Sequence, residues 1–190
     1  MTMTQETSTE EHSASTPERT GWPVYVVHGL AKELGEDRSV GERAKLRRLH
    51  EGINRPAFWR IVVRSLEPVY KRELLNDELE RWGVILEGLA HLLPFHRKKS
   101  ALGRALASAE IHETRVLRLL RAEGESLRAL VRPLAHQFSS KGQHVDWADV
   151  ALLLLSDGHP SADGIRRQFA RDFYYTQSRR GGGDATDTES

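Results

Sequence analysis

The sequence predicts an all-α protein, a compact bundle of about eight helices that can divide into two helical subdomains. Apolar residues recur at spacings of three and four through residues 21–180, the period of helices with one buried face. No run of alternating β-branched residues bounded by turns interrupts that pattern. The apolar content, 38 % of 190 residues, is enough for one helical core or two small subdomains sharing one. With no cysteine in the chain, disulfides, thiolate zinc sites, iron–sulfur clusters and cysteine nucleophiles are excluded, so stability has to come from burial and helix packing.

Residues 1–20 are rich in Thr, Ser and Glu without periodicity, and residues 181–190 form an acidic, glycine-led tail. Both are expected to be disordered, since neither can bury enough apolar surface to offset the entropy of ordering. Trp22-Pro23 opens the first helix, which runs to Leu34 before the break at Gly35. A short basic helix follows over residues 41–49. Arg55-Pro56 opens a third, with Phe58, Trp59, Ile61, Val62 and Leu66 on a broad apolar face and Pro68 as its end. Asn76 reads as the N-cap of the next helix, with Asp77 and Glu78 in its first turn. Its apolar set is Leu79, Trp82, Leu86, Leu89, Ala90 and Leu93, and Pro94 stops it.

The basic linker His96-Arg97-Lys98-Lys99 closes an N-terminal half, 21–100, and leads into a C-terminal half, 101–180. The second half is expected to hold helices over 101–109, 112–122, 125–139, 146–156 and 161–177. Asp146 with Asp149 resembles a capping pair, and Gly158 with Pro160 marks a turn. In the last helix Ile165, Phe169 and Phe173 recur every four residues, which predicts their burial.

Charge is unevenly spread. Of 28 basic and 27 acidic residues, one base and seven acids lie in the tails, which leaves residues 21–180 with 27 against 20, about +7. Arginine far outnumbers lysine there, and its planar fork of donors suits phosphate. Arg115, Arg118 and Arg121, spaced by three, predict a basic ridge with Val116, Leu117 and Leu120 turned inward. Arg128 and Arg132 repeat the pattern at a spacing of four beside Leu127, Leu130, Val131 and Leu134; Arg167 and Arg171 do so opposite Phe169 and Phe173. Pro133 is expected to kink or interrupt its helix. Arg43, Lys45, Arg47, Arg48, Arg55 and Arg60 form an N-terminal cluster. Each stripe can equally be a solvated face partnered by acids such as Glu113, Glu123 and Asp172. Trp59, Trp82, Trp147 and Phe169 sit in apolar patterns and read as core, so backbone electrostatics rather than base stacking is the expected mode of nucleic-acid binding.

Several segments taken in order resemble the CasB family: Leu46-Arg47-Arg48, Arg55-Pro56-Ala57-Phe58-Trp59-Arg60, Leu102-Gly103-Arg104-Ala105-Leu106-Ala107 and the Arg-rich run Glu113–Ala122. The closing Val145-Asp146-Trp147 and Asp172-Phe173 are similar in order and spacing. The resemblance covers about residues 40–175, and its most specific parts are the Leu102–Ala107 motif and the Arg-rich run after it. It implies the small subunit of a type I-E CRISPR Cascade complex: all-helical, without catalytic activity or cofactor, present as two copies beside other Cascade subunits, and holding guide RNA and target DNA. Carried over by position, Arg47, Arg48, Arg104, Arg115, Arg118, Arg121, Arg128 and Arg132 are the implied nucleic-acid contacts.

Two other classes remain. The segment Ser100–Arg121 has the outline of a helix-turn-helix and predicts a DNA-binding regulator with a preferred operator. A pure protein adaptor would use its apolar faces and ignore the arginines. An enzyme has little support: no HExxH, HxH or GxxxxGK[ST] pattern occurs, and Glu110 with Glu113 is a carboxylate pair without a cleft. The N-terminus lacks the basic and apolar regions of a signal peptide and no membrane-length apolar stretch occurs, so a soluble, cytoplasmic protein is expected.

Overall fold

The structure, a computed structural model, describes residues 21–36 and 39–181. The first expected tail and residues 182–190 of the second lie outside the described residues. The elements are α1 (Trp22–Gly35), α2 (Val40–Leu46), α3 (Pro56–Ile61), α4 (Glu67–Tyr70), α5 (Asn76–Leu92), α6 (Leu102–Ser108), α7 (Glu113–Arg121), α8 (Gly124–Ser140), α9 (Trp147–Leu155) and α10 (Ala162–Gly181). A π-helical segment, Val62–Leu66, joins α3 to α4 without a break. Counted as one rod, that unit gives nine helical rods among the described residues, where about eight were expected. The fold is all-α, and the one β-type contact among the described residues is an isolated bridge between His96 and Val145.

One hydrophobic cluster extends from Val27 in α1 to Phe173 in α10. Two helices form its axis. α5 is buried on nearly all sides from Trp82 to Ala90, and α9 contributes Trp147, Val150, Ala151, Leu153 and Leu154. They meet where the Trp147 ring lies over Gly88: a Cβ there would stand 2.1 Å from the ring, so only glycine admits this approach. The Trp147 indole N–H donates to the Ile85 carbonyl at 2.9 Å, which satisfies its one polar atom inside the core.

A second close approach explains the Leu102–Ala107 motif. Leu102, Ala105 and Leu106 are buried, Arg104 is exposed, and Gly103 rests on the backbone of α10, where a Cβ would come within 2.3 Å of the Phe169 carbonyl oxygen. The Arg180 guanidinium donates to the Ala107 carbonyl at 2.9 Å, a second bond beside the one that carbonyl accepts from the Glu110 N–H, and ties the far end of α10 to the end of α6.

Local expectations failed where packing overrode them. Pro68 does not end the third helix but follows the π-helical segment in the first turn of α4, and buried Leu66 and Tyr70 on either side of it carry the helix past the missing N–H. Pro133 does not interrupt α8; buried Leu127, Val131, Leu134, Ala135 and Phe138 hold the helix on both sides of it. Asn76 is inside α5 rather than its cap, since Glu78 reaches back to the Leu75 N–H at 2.8 Å and moves the boundary by one residue. Asp146 does cap α9 through the Ala148 N–H, but Asp149 serves a different helix and accepts the Leu102 N–H at the start of α6 at 2.8 Å. Burial pushes the Asp149 carboxyl up to about 6, with that N–H pulling the other way. Finally, α10 continues to Gly181, past the expected end at 177.

Candidate nucleic-acid interface

Helical period places a side chain, but only packing decides whether an arginine meets an acid. The eight candidate arginines separate on that point. α8 runs parallel to α5, as shown by Arg128 on Asp77, Arg132 on Glu87 and the tilted rings of His136 and His91, 4.0 Å apart. Arg128 donates to Asp77 at 2.7 Å, and the same carboxylate takes Arg81 at 2.6 Å. Arg132 donates to Glu87 at 2.5 Å, and the other oxygen of that buried carboxylate meets His50 Nδ1 at 2.7 Å. Both arginines are therefore cross-links between helices in this structure.

Arg47 is near the same place. Its Nε donates to the Ala90 carbonyl at 3.0 Å, while its own carbonyl meets His91 Nε2 at 3.3 Å. Arg48 beside it is exposed, and its side chain has no hydrogen bond or ion pair among the described residues. Burial, aided by the neighbouring His136, holds the His91 pKa below the usual imidazole range, so this histidine stays neutral at neutral pH.

The α7 arginines have a different setting. Val116 and Leu119 are buried, with Leu117 and Leu120 half-buried; the expected inward set of Val116, Leu117 and Leu120 was rotated by part of a turn. Arg115 consequently leans toward α8, half-buried beside Ile111, Leu130 and Leu134, and the three arginines fan out instead of forming a single line. Arg118 and Arg121 point outward, and neither side chain has a hydrogen bond or ion pair among the described residues. Their position in the last turn favours the helix dipole, which accounts for cations there without fixing what they face. Arg104 is exposed on α6 with one bond, to the Lys99 carbonyl at 3.1 Å.

The acids available as partners are engaged elsewhere. Glu113 accepts the Tyr174 hydroxyl at 2.7 Å, Asp172 accepts the Gln168 amide at 3.1 Å, and Glu123 stands 3.5 Å from Arg166. Contacts at its two ends orient α7. Tyr174 holds its N-terminus at Glu113, while Arg166 holds its C-terminal end through the Ala122 carbonyl at 3.0 Å, so α7 lies antiparallel along α10. Arg118 and Arg121 thus lie on a helix adjoining the one that carries Arg167 and Arg171, which are unpaired among the described residues and exposed, as the burial of Phe169 and Phe173 opposite them requires.

Two groups have the look of chemistry. Glu110 occupies a left-handed turn at φ 53° while Glu113 faces Tyr174, so they do not form a carboxylate pair. His28, His96 and Asp146 place potential ligand atoms within 4.8 Å of one another, a grouping that sequence spacing does not reveal. Asp146 accepts the Lys99 and Ala148 N–H groups and faces His28 Nε2 at 3.0 Å, and His96 Nδ1 accepts the Trp147 N–H, while His96 Nε2 is buried without a hydrogen-bond partner among the described residues. The trio ties α1 and the linker to the start of α9. No helix among the described residues is long and apolar enough to cross a membrane.

The class defined so far is an all-α protein with unpaired arginines gathered on two adjoining helices. Over residues 42–174 the sequence matches the family described as CRISPR-associated protein Cse2, and the chain belongs to that family. Cse2 and CasB are the same family, a Cascade subunit, as the sequence resemblance implied. No curated protein matches the sequence.

Proposed function

We propose that this chain is the non-catalytic small subunit of a type I-E Cascade complex, binding guide RNA and target DNA by their backbones and stabilising the R-loop beside other Cascade subunits and a second copy of itself. The observation that carries this reading is the pair Arg118 and Arg121, exposed and without acid partners among the described residues, on a helix that adjoins α10 with its equally unpaired Arg167 and Arg171. R-loop formation is a nearly balanced exchange of base pairs, so modest contacts that ignore sequence are enough to tip it. A protein that serves every guide has to read phosphates, not bases. Within the contact set Arg118 and Arg121 rank first, followed by Arg48, Arg104, Arg115 and Arg47. Arg128 and Arg132 rank last, because each would have to leave Asp77 or Glu87 to meet a phosphate.

The test is to tag the chain in its own host, purify it at low salt and identify the RNA and proteins that accompany it. The reading expects repeat-flanked guide RNA with a stoichiometric set of larger subunits. Enrichment of one DNA site with no RNA and no partners would overturn it in favour of the helix-turn-helix regulator.

A further inference from the structure

The outer face of α10 carries a row that the binding set above leaves out. Arg167, Arg171, Tyr175 and Arg179 occur at every fourth residue, and all four are exposed. Phe169 and Phe173 are buried on the opposite side, so the row's direction is fixed by the core. Successive members are about 6 Å apart along the helix axis, and the row is about 18 Å long. Arg167 and Arg171 have no side-chain partner among the described residues, and the Arg179 guanidinium lies over the Tyr175 ring, 5.3 Å from its centroid. Of the nearby acids, Asp172 accepts from Gln168 at 3.1 Å and the exposed Asp163 stands 4.0 Å from Arg166.

The tyrosine is the informative member. Its ring is 59 % exposed on a helix whose end is tied to α6 by Arg180, so it is presented rigidly and at low entropic cost. A solvated basic face needs no aromatic side chain, and an arginine row alone would bind duplex and single strand alike. An exposed ring with a guanidinium stacked on it offers a flat surface to an unpaired base, which a duplex cannot supply because its bases are stacked on one another.

We infer that this row is a binding site for single-stranded nucleic acid: Tyr175 stacks on an unpaired base beside Arg179, and Arg167 and Arg171 hold the phosphates of the adjoining nucleotides. This rests on the backbone-binding reading above and adds selectivity for unpaired strands to it. The sequence pattern pointed away from stacking through Trp59, Trp82, Trp147 and Phe169; the last three are buried, whereas Trp59, expected to be core, is exposed, and Tyr175 is more exposed still.

The test uses the full chain and fluorescence anisotropy with labelled oligo-dT, oligo-rU and a blunt duplex of equal length. Tyr175→Ala is expected to weaken binding to both single strands by at least about fivefold, with the duplex and the salt dependence unchanged, while Tyr175→Phe binds like the parent. Arg171→Gln is expected to weaken single-strand binding and to reduce the slope of log affinity against log salt by about 0.7. A loss confined to one of the two sugars upholds the site and assigns it to that nucleic acid. Unchanged single-strand binding by Tyr175→Ala, or an equal loss on duplex, overturns this inference and leaves the backbone-binding reading standing. A parent chain that binds none of the three probes overturns both.

Discussion

Arg128 and Arg132 on α8 and Arg118 and Arg121 on α7 have nearly the same sequence signature, basic residues three or four apart beside a leucine-rich face. The structure gives them opposite surroundings. The α8 pair faces α5, where Asp77 and Glu87 receive it, and Glu87 is only 7 % exposed. The α7 pair faces solvent without an acid partner among the described residues. An arginine stripe therefore says that a helix has a basic side; whether that side is a cross-link or a binding surface depends on what the neighbouring helix brings up to it. The comparison predicts a division of labour in which one pair contributes stability and the other affinity.

The largest effect is expected on the α8 side. Arg132→Ala leaves the buried Glu87 carboxylate with His50 as its remaining partner, and urea denaturation should show a loss of about 2 kcal/mol. A similar loss, about 2 kcal/mol, is expected for Gly103→Ala, whose new methyl group has to push α6 off the α10 backbone. That variant tests whether the exposed side depends on the α6–α10 crossing that supports it.

A smaller change of opposite sign is expected at Asp149. Its folded pKa, about 6, lies above the model-peptide value of 3.8, so the folded state holds a proton that the unfolded state has released between those values. Stability contributed by this group is thus present below about pH 4 and is lost as pH rises through about 6. Asp149→Asn keeps the acceptor for the Leu102 N–H without the buried charge. It should gain about 1 kcal/mol at pH 7 and flatten the slope between pH 4 and 6, measured by denaturation across that range. The smallest effect on stability belongs to Arg118→Ala and Arg121→Ala, within about 0.5 kcal/mol each.

Much of the fold was legible because burial follows the helical period. Phe169 and Phe173 against Arg167 and Arg171 is the clearest case, and the α5 apolar set is another. On α7 the period was legible but the phase was not: Leu117, Leu119 and Leu120 compete for the inward side, and the docking of the helix between α8 and α10 selects Leu119. The prolines at 68 and 133 misled because a local rule states a cost, and packing around both positions exceeds it. The site was legible as residue types and not as partnerships. Arg128 meets Asp77 across 51 residues and Arg132 meets Glu87 across 45, distances at which a single sequence carries no pairing signal. His28 and Asp146, 118 residues apart, were invisible for the same reason.

The central claim is that the α7 arginines bind nucleic-acid backbone while the α8 arginines hold the bundle together. Its most direct test is the salt dependence of single-strand binding by the parent, by the double variant Arg118→Ala with Arg121→Ala, and by Arg128→Ala. If five phosphates are neutralised, the parent slope of log affinity against log salt is about −3.5, the double variant is shallower by about 1.4, and Arg128→Ala keeps the parent slope while losing stability. A double variant with the parent slope, or a loss of slope that follows Arg128 instead, would contradict the account.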